Sequence, residues 1–201
     1  MKRSVLWMLI CLLCACCVCA AAEEPQALAS GDYAYILRDD GTAEIAKYTG
    51  IAEALEIPAA LDGHPVTAIG DKAFVACPSL TDVTLPEGIT SVGTQAFTYC
   101  VGLTQVTLPG SLESIGPEAF FLDCLLQRVN LPDSVTRIGA GAFSFCYELT
   151  HATIPDSVTE IGKDAFLLCA PVLTLTVGPG SPAEDYCIEN HLAYDHPENN
   201  P

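Results

Sequence analysis

The chain has 201 residues, a length that fits one ordinary domain or an array of short repeats. It carries 8 Lys and Arg against 25 Asp and Glu, so its formal net charge is −17. This balance argues against nucleic acid and anionic lipid as partners, because phosphate recognition depends on Lys and Arg. With 50% hydrophobic residues, the chain is not an acidic disordered tail either.

Residues 1–22 have the pattern of a secretory signal peptide. Lys2 and Arg3 form a basic start, residues 5–19 are apolar or thiol-bearing, and residues 20–22 are a small-residue cleavage region. The apolar run is shorter than the roughly 20 residues of a spanning helix, so we expect cleavage and no transmembrane segment in the mature chain. Two alternatives stay open: a lipoprotein signal with a lipid anchor at Cys16, and an uncleaved anchor.

Residues 23–50 are predicted to form an N-terminal β-hairpin cap. Two alternating segments, residues 33–38 and 42–48, flank an Asp-Gly turn signal at residues 40–41. Such a cap gives the first turn of a repeat array a polar outer side.

Residues 51–177 form a repeat of constant period. An Ala-Phe pair recurs five times without drift, each time preceded by an apolar residue and a glycine, at Ala73-Phe74, Ala96-Phe97, Ala119-Phe120, Ala142-Phe143 and Ala165-Phe166. An earlier Ile57-Pro58 copy is offset by five extra residues, which fall in the loop at 59–65. A fixed period of this length predicts stacked coils that complete one another's core.

Each coil is predicted to contain a strand with one buried face and one exposed face. Val83 and Leu85 alternate with polar residues, and the following Pro86 ends the strand because it cannot donate to a ladder. A second extended run follows, and we expect Gly139 and its equivalents to adopt a positive φ at the next corner. The fold class expected is a β-dominant right-handed solenoid with 23-residue coils.

A cysteine column accompanies the repeats. Four cysteines each lie four residues after the repeat alanine, namely Cys77, Cys100, Cys146 and Cys169. In the third coil Asp123 takes that place and is followed by Cys124. Buried free thiols are one interpretation, because neighbouring Cβ atoms in a column are parallel and suit a disulfide poorly. Disulfides are the other, since export favours oxidation. Cys187 is expected to be the most accessible thiol, able to pair with Cys169.

Residues 178–201 are predicted to form a C-terminal cap and tail. The last strand, at 172–177, is followed by a Gly-Pro-rich turn at 178–182 and a helix at 183–190. Residues 192–194 close the cap, and residues 195–201 are expected to fray.

The outward face of the strands is the candidate binding surface. Its two columns of exposed positions are polar and nearly uncharged, and they consist of Asp82, Gln105, Arg128, His151 and Thr174, and of Thr84, Thr107, Asn130, Thr153 and Thr176. A solenoid uses such a face to dock protein or glycan ligands. The alternative is that Thr is simply a good residue for an exposed strand.

Motifs for catalysis, metal binding and cofactor binding are missing from the sequence. The four histidines lack partners at triad or ligand spacing, and no P-loop, EF-hand or nucleophile elbow is present. We therefore expect a non-enzymatic protein with no cofactor and no metal.

The repeat resembles the BspA-like leucine-rich repeats of bacterial secreted and surface proteins. The residues that carry the resemblance are the Leu-x-x-Val-x-Leu-Pro segment at 80–86, the apolar-Gly pairs, and the Ala-Phe-x-x-Cys segments. The resemblance implies an extracellular location and adhesion or host-protein binding. The leading hypothesis is thus a monomeric, secreted or cell-surface binding module; the alternative is a structural envelope protein without a specific ligand.

The charge predicts the behaviour of the mature chain on a polyanion. Signal cleavage removes Lys2 and Arg3 and no acid, so the net charge changes from −17 to −19. We expect the mature protein to pass through a heparin column and to be retained on an anion exchanger, because its summed field repels polyanions. Firm heparin retention at about 0.15 M salt, where screening acts over roughly 8 Å, would contradict the exclusion of polyanionic partners.

Overall fold

A computed structural model describes residues 27–197 of the chain. The predicted signal at 1–22, Cys16 and residues 198–201 lie outside the described residues. In chain order, the elements are β1 (Leu28–Ser30), β2 (Tyr33–Leu37), β3 (Ala43–Tyr48), β4 (Ala54–Glu56), β5 (Ala60–Leu61), β6 (His64–Ile69), β7 (Asp82–Thr84), β8 (Ser91–Val92), β9 (Gln105–Thr107), β10 (Ser114–Ile115), β11 (Arg128–Asn130), β12 (Arg137–Ile138), β13 (His151–Ile154), β14 (Glu160–Ile161), β15 (Thr174–Val177), α1 (Pro182–Glu189) and β16 (Ala193–Asp195).

The chain winds into a β-solenoid whose coils have the predicted length. One side carries a nine-stranded sheet that begins with β1, β2 and β3 and continues through β6, β8, β10, β12 and β14, with β5 paired to β6. The other side carries β4, β7 and β9 in one sheet and β11, β13, β15 and β16 in another. From β6 to β15, strands of successive coils pair in parallel one 23-residue repeat apart, for example Ser114 with Arg137. The repeat period of the sequence is therefore the length of one turn.

The N-terminal cap contains the predicted hairpin. Strand β2 pairs antiparallel with β3, and β3 then pairs in parallel with β6, which joins the cap to the first coil. Strand β1 extends the hairpin on its outer side, an addition that the sequence pattern did not indicate. The extra residues at 59–65 form a second small hairpin in which Asp62 and Gly63 both have positive φ, so the insertion is looped out without disturbing the register.

A stack of phenylalanine rings runs through the centre of the solenoid. The five rings of the Ala-Phe pairs are buried, and successive centroids lie 4.8 to 5.3 Å apart with nearly parallel planes. Tyr48 stacks on the first ring at 5.2 Å, and Tyr186 of α1 meets the last ring edge-on at 6.3 Å. The aromatic core therefore continues into both caps, through Tyr48 at one end and Tyr186 at the other.

The expectation of a positive φ at Gly139 is wrong. This glycine lies outside the left-handed region, and a Cβ built on it would overlap the backbone nitrogen of Pro117 in the preceding coil. Glycine is thus required here because neighbouring coils approach closely. The same holds for Gly116 and Gly162, whose added Cβ atoms would also overlap backbone atoms of the coil before.

Within the coils, most of the positive φ angles fall instead in two columns, one on each side of the Ala-Phe pair. One contains Lys72, Gln95, Glu118, Gly141 and Asp164, and the other contains Ala76, Tyr99, Leu122, Phe145 and Leu168. A side chain in this region costs about 1–2 kcal/mol. The conformation turns the backbone N–H towards the next coil, as in the bonds from Gln95 N to Pro117 O and from Tyr99 N to Phe121 O, both 2.9 Å. These hydrogen bonds offset the strain and join the coils along the side that carries the two columns, which we call the turn side.

The C-terminal cap is more ordered than predicted. Ser181 caps α1 by accepting a hydrogen bond from Glu184 N at 3.2 Å, and β16 adds in parallel to β15. Residues 195–197 do not fray: the Nδ1–H of His196 donates to Val177 O at 2.9 Å, and its Nε2 lies 3.3 Å from Glu184 Oε1. The tail expectation is therefore wrong for these three residues, and residues 198–201 stay untested.

Within residues 27–197, no helix has both the length and the apolar character needed to cross a bilayer.

Truncating the central ring of the stack should be strongly destabilising. Phe120 is fully buried between Phe97 and Phe143, each 5.3 Å away, so Phe120→Ala is expected to lower the free energy of unfolding by about 3–5 kcal/mol. Denaturant melts of the two proteins measure this difference. The exposed ring of Tyr147, replaced by Ala, serves as the control and should change stability little. Equal midpoints for wild type and Phe120→Ala would mean that the ring stack does not stabilise the fold.

Candidate functional site

The ten candidate residues lie on the outward face of the strands, in the two columns expected. Asp82 pairs with Gln105, Arg128 with His151, and Thr153 with Thr176 in the parallel ladders. Asp82, Thr174 and Thr176 are partly exposed, and the other seven are exposed: Thr84, Gln105, Thr107, Arg128, Asn130, His151 and Thr153. The ladders therefore place the candidate residues on a single polar surface, which we call the strand face.

The strand face is interrupted between β9 and β11. The ladders on this side form two sheets that end at β9 and begin at β11. At this boundary Gln127 N lies 3.4 Å from Thr104 O, whereas the equivalent bonds are 2.8 Å one coil earlier and 3.1 Å one coil later. The interruption separates Gln105 and Thr107 from Arg128 and Asn130 in the middle of the candidate surface.

A cleft of about 390 Å³ occupies this interruption. It is lined by residues 104–108 together with Gln127, Arg128 and Asn130, so four of the ten candidate residues border it. Within the described part of the chain Arg128 makes no salt bridge, and its side chain is exposed. The cleft thus combines an unpaired base with amide and hydroxyl groups. The cleft has no signal in the sequence, because the spacing of the repeat continues unchanged through the ladder break.

A larger groove of about 760 Å³ lies on the opposite sheet. Its floor is the glycine column described above, and its rim includes Asp71, Arg137 and Glu160. These rim groups already have partners: Asp71 Oδ1 accepts from Thr94 N at 2.7 Å, and Arg137 Nε lies 3.8 Å from Glu160 Oε2. The groove follows the line where the coils pack closely, and the charged groups at its rim already have partners.

The turn side of the solenoid has a different chemistry. Tyr99, Phe121, Phe145 and Tyr147 form a chain of edge-to-face contacts with centroids 5.1 to 6.2 Å apart, and the two tyrosines are exposed. Two members of this row, Tyr99 and Phe145, belong to the second column of positive φ angles. The molecule therefore presents a polar strand face and an apolar turn side.

The six cysteines at and after residue 77 are free. Cys100, Cys146 and Cys169 each donate the thiol to the carbonyl oxygen of a phenylalanine in the preceding coil, at 3.1 to 3.2 Å. Burial raises the pKa of the Cys169 thiol to about 12, and that of the Cys146 thiol well above its usual value. The interpretation of the column as buried thiols agrees with this geometry.

The expectation that Cys187 is the accessible thiol is wrong. Cys187 is a fully buried residue of α1, and burial followed by the nearby Glu184 carboxylate raises its pKa to about 11. Cys77 is partly exposed, and the neighbouring Cys100 thiol lowers its pKa. The more reactive thiol is therefore at the N-terminal end of the column.

Two of the four histidines make local contacts only. His64 Nδ1 lies 3.0 Å from Gly41 O, and His151 Nδ1 lies 3.2 Å from Thr150 Oγ1, so each is paired locally. Among residues 27–197 no cluster of three or more His, Cys, Asp or Glu side chains is arranged to hold a metal ion.

Thiol labelling tests the order of cysteine reactivity. Because the thiolate is the reactive form, Cys77 should react with iodoacetamide several-fold faster than Cys187 in the native protein at pH 7.5. Peptide mass spectrometry over time gives the rate at each site, and denatured protein should label at all six cysteines. Faster labelling of Cys187, or unlabelled disulfide-linked peptides after denaturation, would contradict the assignment.

Comparison with known proteins identifies the family. The family model described as BspA type leucine-rich repeat region matches residues 67–191 with six copies, one more than the five Ala-Phe pairs. No curated protein matches the chain.

Solved structures of bacterial leucine-rich repeat proteins are similar over most of this chain. The leucine-rich repeat protein of T. pallidum has a TM-score of 0.71 and 34% identity, over 75% of this chain and 71% of that one. A leucine-rich repeat protein of Bacteroides ovatus has a TM-score of 0.68 and 28% identity, over 76% and 41%. A leucine-rich cell surface protein of Faecalibacterium prausnitzii has a TM-score of 0.55 and 31% identity, over 78% and 56%. The chain therefore belongs to the BspA-type leucine-rich repeat family.

Proposed function

We propose that the chain is a secreted or cell-surface, non-enzymatic binding module that recognises a protein or glycan ligand through the strand face, centred on the cleft between β9 and β11. The observation that carries the proposal is this cleft, where Arg128 has no ion-pair partner within the described residues. A cleft of this size with a few convergent polar groups is typical of ligand sites.

The polar groups of the strand face are arranged for hydrogen bonding with a ligand. Thr84 and Thr107 are exposed, and their hydroxyls make no hydrogen bond within the described residues. The neighbouring column behaves differently, since Thr81 and Thr104 donate to carbonyl oxygens of the preceding coil at 3.0 Å. Thr81 and Thr104 therefore stabilise the coils, whereas Thr84 and Thr107 are available to a ligand. Further along the same face, Thr153 Oγ1 donates to Asn130 Oδ1 at 3.3 Å.

The charge of the chain favours a neutral or basic partner. The acids give a net charge of −17 over the whole sequence, whereas the residues lining the cleft include one base and no acid. We consider a partner whose surface is neutral where it meets the cleft and basic around that contact. The negative charge of the chain would attract this partner, and Arg128 would not repel it at the cleft.

An extracellular location is supported by two independent observations. Residues 1–22 have the order of basic, apolar and small residues that export requires. The F. prausnitzii relative is described as a cell surface protein. Lipid attachment at Cys16 is a second route to the surface and stays a prediction.

Binding arrays test the strand face. Mature protein, residues 23–201, is applied to a glycan array and to a panel of purified extracellular matrix proteins, beside the triple variant Thr84→Ala, Thr107→Ala, Asn130→Ala. We expect the triple variant to lose at least about tenfold in affinity, which corresponds to about 1.4 kcal/mol.

Two single arginine variants make a matched pair. Arg128→Ala should weaken binding, while Arg137→Ala, an exposed arginine on the opposite sheet, should leave it unchanged. Binding that survives the triple variant, or that falls equally with both arginine variants, would exclude the strand face as the site. No binding to any array member would favour the structural alternative.

A further inference from the structure

The third coil contains a buried carboxyl group in the cysteine column. Asp123 is fully buried, and it occupies the position that Cys77, Cys100, Cys146 and Cys169 hold in the other coils. Its Oδ1 accepts a hydrogen bond from Cys100 N at 2.9 Å. Its Oδ2 is buried and has no hydrogen-bond partner. A polar atom in this state calls for a physical explanation, because burial without a partner is costly.

The repeat register indicates the missing partner. Cys100, Cys146 and Cys169 donate their thiol hydrogens to the carbonyl oxygens of Phe74, Phe120 and Phe143, each 26 residues earlier. The equivalent acceptor for residue 123 is the carbonyl oxygen of Phe97. A carboxylate has no hydrogen to donate, whereas a neutral carboxylic acid has one. Only the neutral form of Asp123 can therefore reproduce the hydrogen bond that the other members of the column make.

We propose that Asp123 is a built-in pH switch: it is held as a neutral carboxylic acid whose O–H donates to the carbonyl oxygen of Phe97, and its ionisation weakens the boundary between its coil and the preceding one. This boundary is the one at which the strand face is interrupted between β9 and β11. The inference does not depend on the proposed binding function.

The surroundings of Asp123 favour the neutral acid. The titratable groups that face it are thiols: Cys100 in the preceding coil, Cys146 in the following coil and Cys124 in its own turn. The pKa of all three thiols is raised, so they stay neutral through pH 8. Within the described residues Asp123 makes no ion pair. Burial raises the pKa of Asp123 well above its usual value, and the Cys100 N–H opposes this only in part.

The sign of the pH dependence follows from this shift. The folded protein binds the Asp123 proton more tightly than the unfolded chain, whose Asp pKa is about 3.9. The contribution to stability is therefore complete below about pH 3.9, and it is lost as the pH rises through the pKa of the folded state.

Two variants at position 123 isolate the effect. Asp123→Cys restores the residue of the other coils, and Asp123→Asn keeps the shape of the side chain and cannot ionise. Melting temperatures of the mature protein are measured in reducing buffer from pH 4 to pH 8. We expect the melting temperature of each variant to rise by several degrees relative to wild type as the pH increases. All other ionisable groups are shared, so their contributions cancel in this difference. Asp133→Asn, at an exposed carboxyl, is the control and should give a flat difference.

Two direct measurements complete the test, and the first needs only the wild-type protein, so it remains informative if a variant does not fold. The carboxyl ¹³C resonance of Asp123 in the wild-type protein should titrate well above the ordinary range. At pH 8, the amides of Cys100 and Gln127 should exchange faster in the wild-type protein than in Asp123→Asn. This difference between the two proteins should be smaller for amides in coils nearer the caps. A flat melting-temperature difference for both variants, or a carboxyl resonance with a midpoint near pH 4, would overturn the proposal. Faster exchange spread evenly over all coils would overturn the assignment to one boundary.

Discussion

Every part of this molecule depends on the stacking of one coil upon the next. No coil has enough apolar surface to form a core alone, and the ring of Phe120 is buried only because Phe97 and Phe143 cover its two faces. The same stacking aligns backbone donors with acceptors: the Phe97 N–H donates to Ala119 O at 2.7 Å, and the Phe120 N–H to Ala142 O at 2.8 Å. Ring packing and backbone hydrogen bonding thus require the same spacing of 23 residues between equivalent positions, which explains why the repeats keep this period without drift.

The regular stack also defines what is irregular, and the irregular features meet in the third coil. Asp123 replaces a thiol in the cysteine column. The ladder on the strand face is broken between β9, which belongs to the preceding coil, and β11, which belongs to the coil of Asp123. The cleft with Arg128 lies in that break. The same coil therefore combines a buried carboxyl with the opening that makes the strand face a candidate site. In a repeat protein, such departures from the consensus are the positions where a common scaffold acquires individual properties.

Much of the fold could be predicted from the sequence because it is periodic. The constant recurrence of Ala-Phe predicted the length and the stacking of the coils, and the alternation around Val83 predicted which residues of each strand are outward. The role of Gly139 was not predictable in this way, since a glycine required by a close approach and a glycine required by a positive φ look alike in a sequence. The cleft could not be predicted either: Gln105 and Arg128 keep the spacing of the repeat, and only the three-dimensional ladder shows that their strands separate. His196 and Cys187 were misplaced because their burial depends on how α1 and the tail pack onto the last coil.

The turn side has a consequence for how this chain can change in length. At each coil, residues such as Gln95 and Tyr99 point their N–H groups at carbonyl oxygens of the next coil. An inserted or deleted residue within a coil would shift all of these bonds at once, whereas an added or removed coil would leave each of them intact. The loop at 59–65 is an exception, because its small hairpin lies outside the stack. Addition or removal of whole coils between Tyr48 and Tyr186 would therefore change the length of the strand face in steps of one coil.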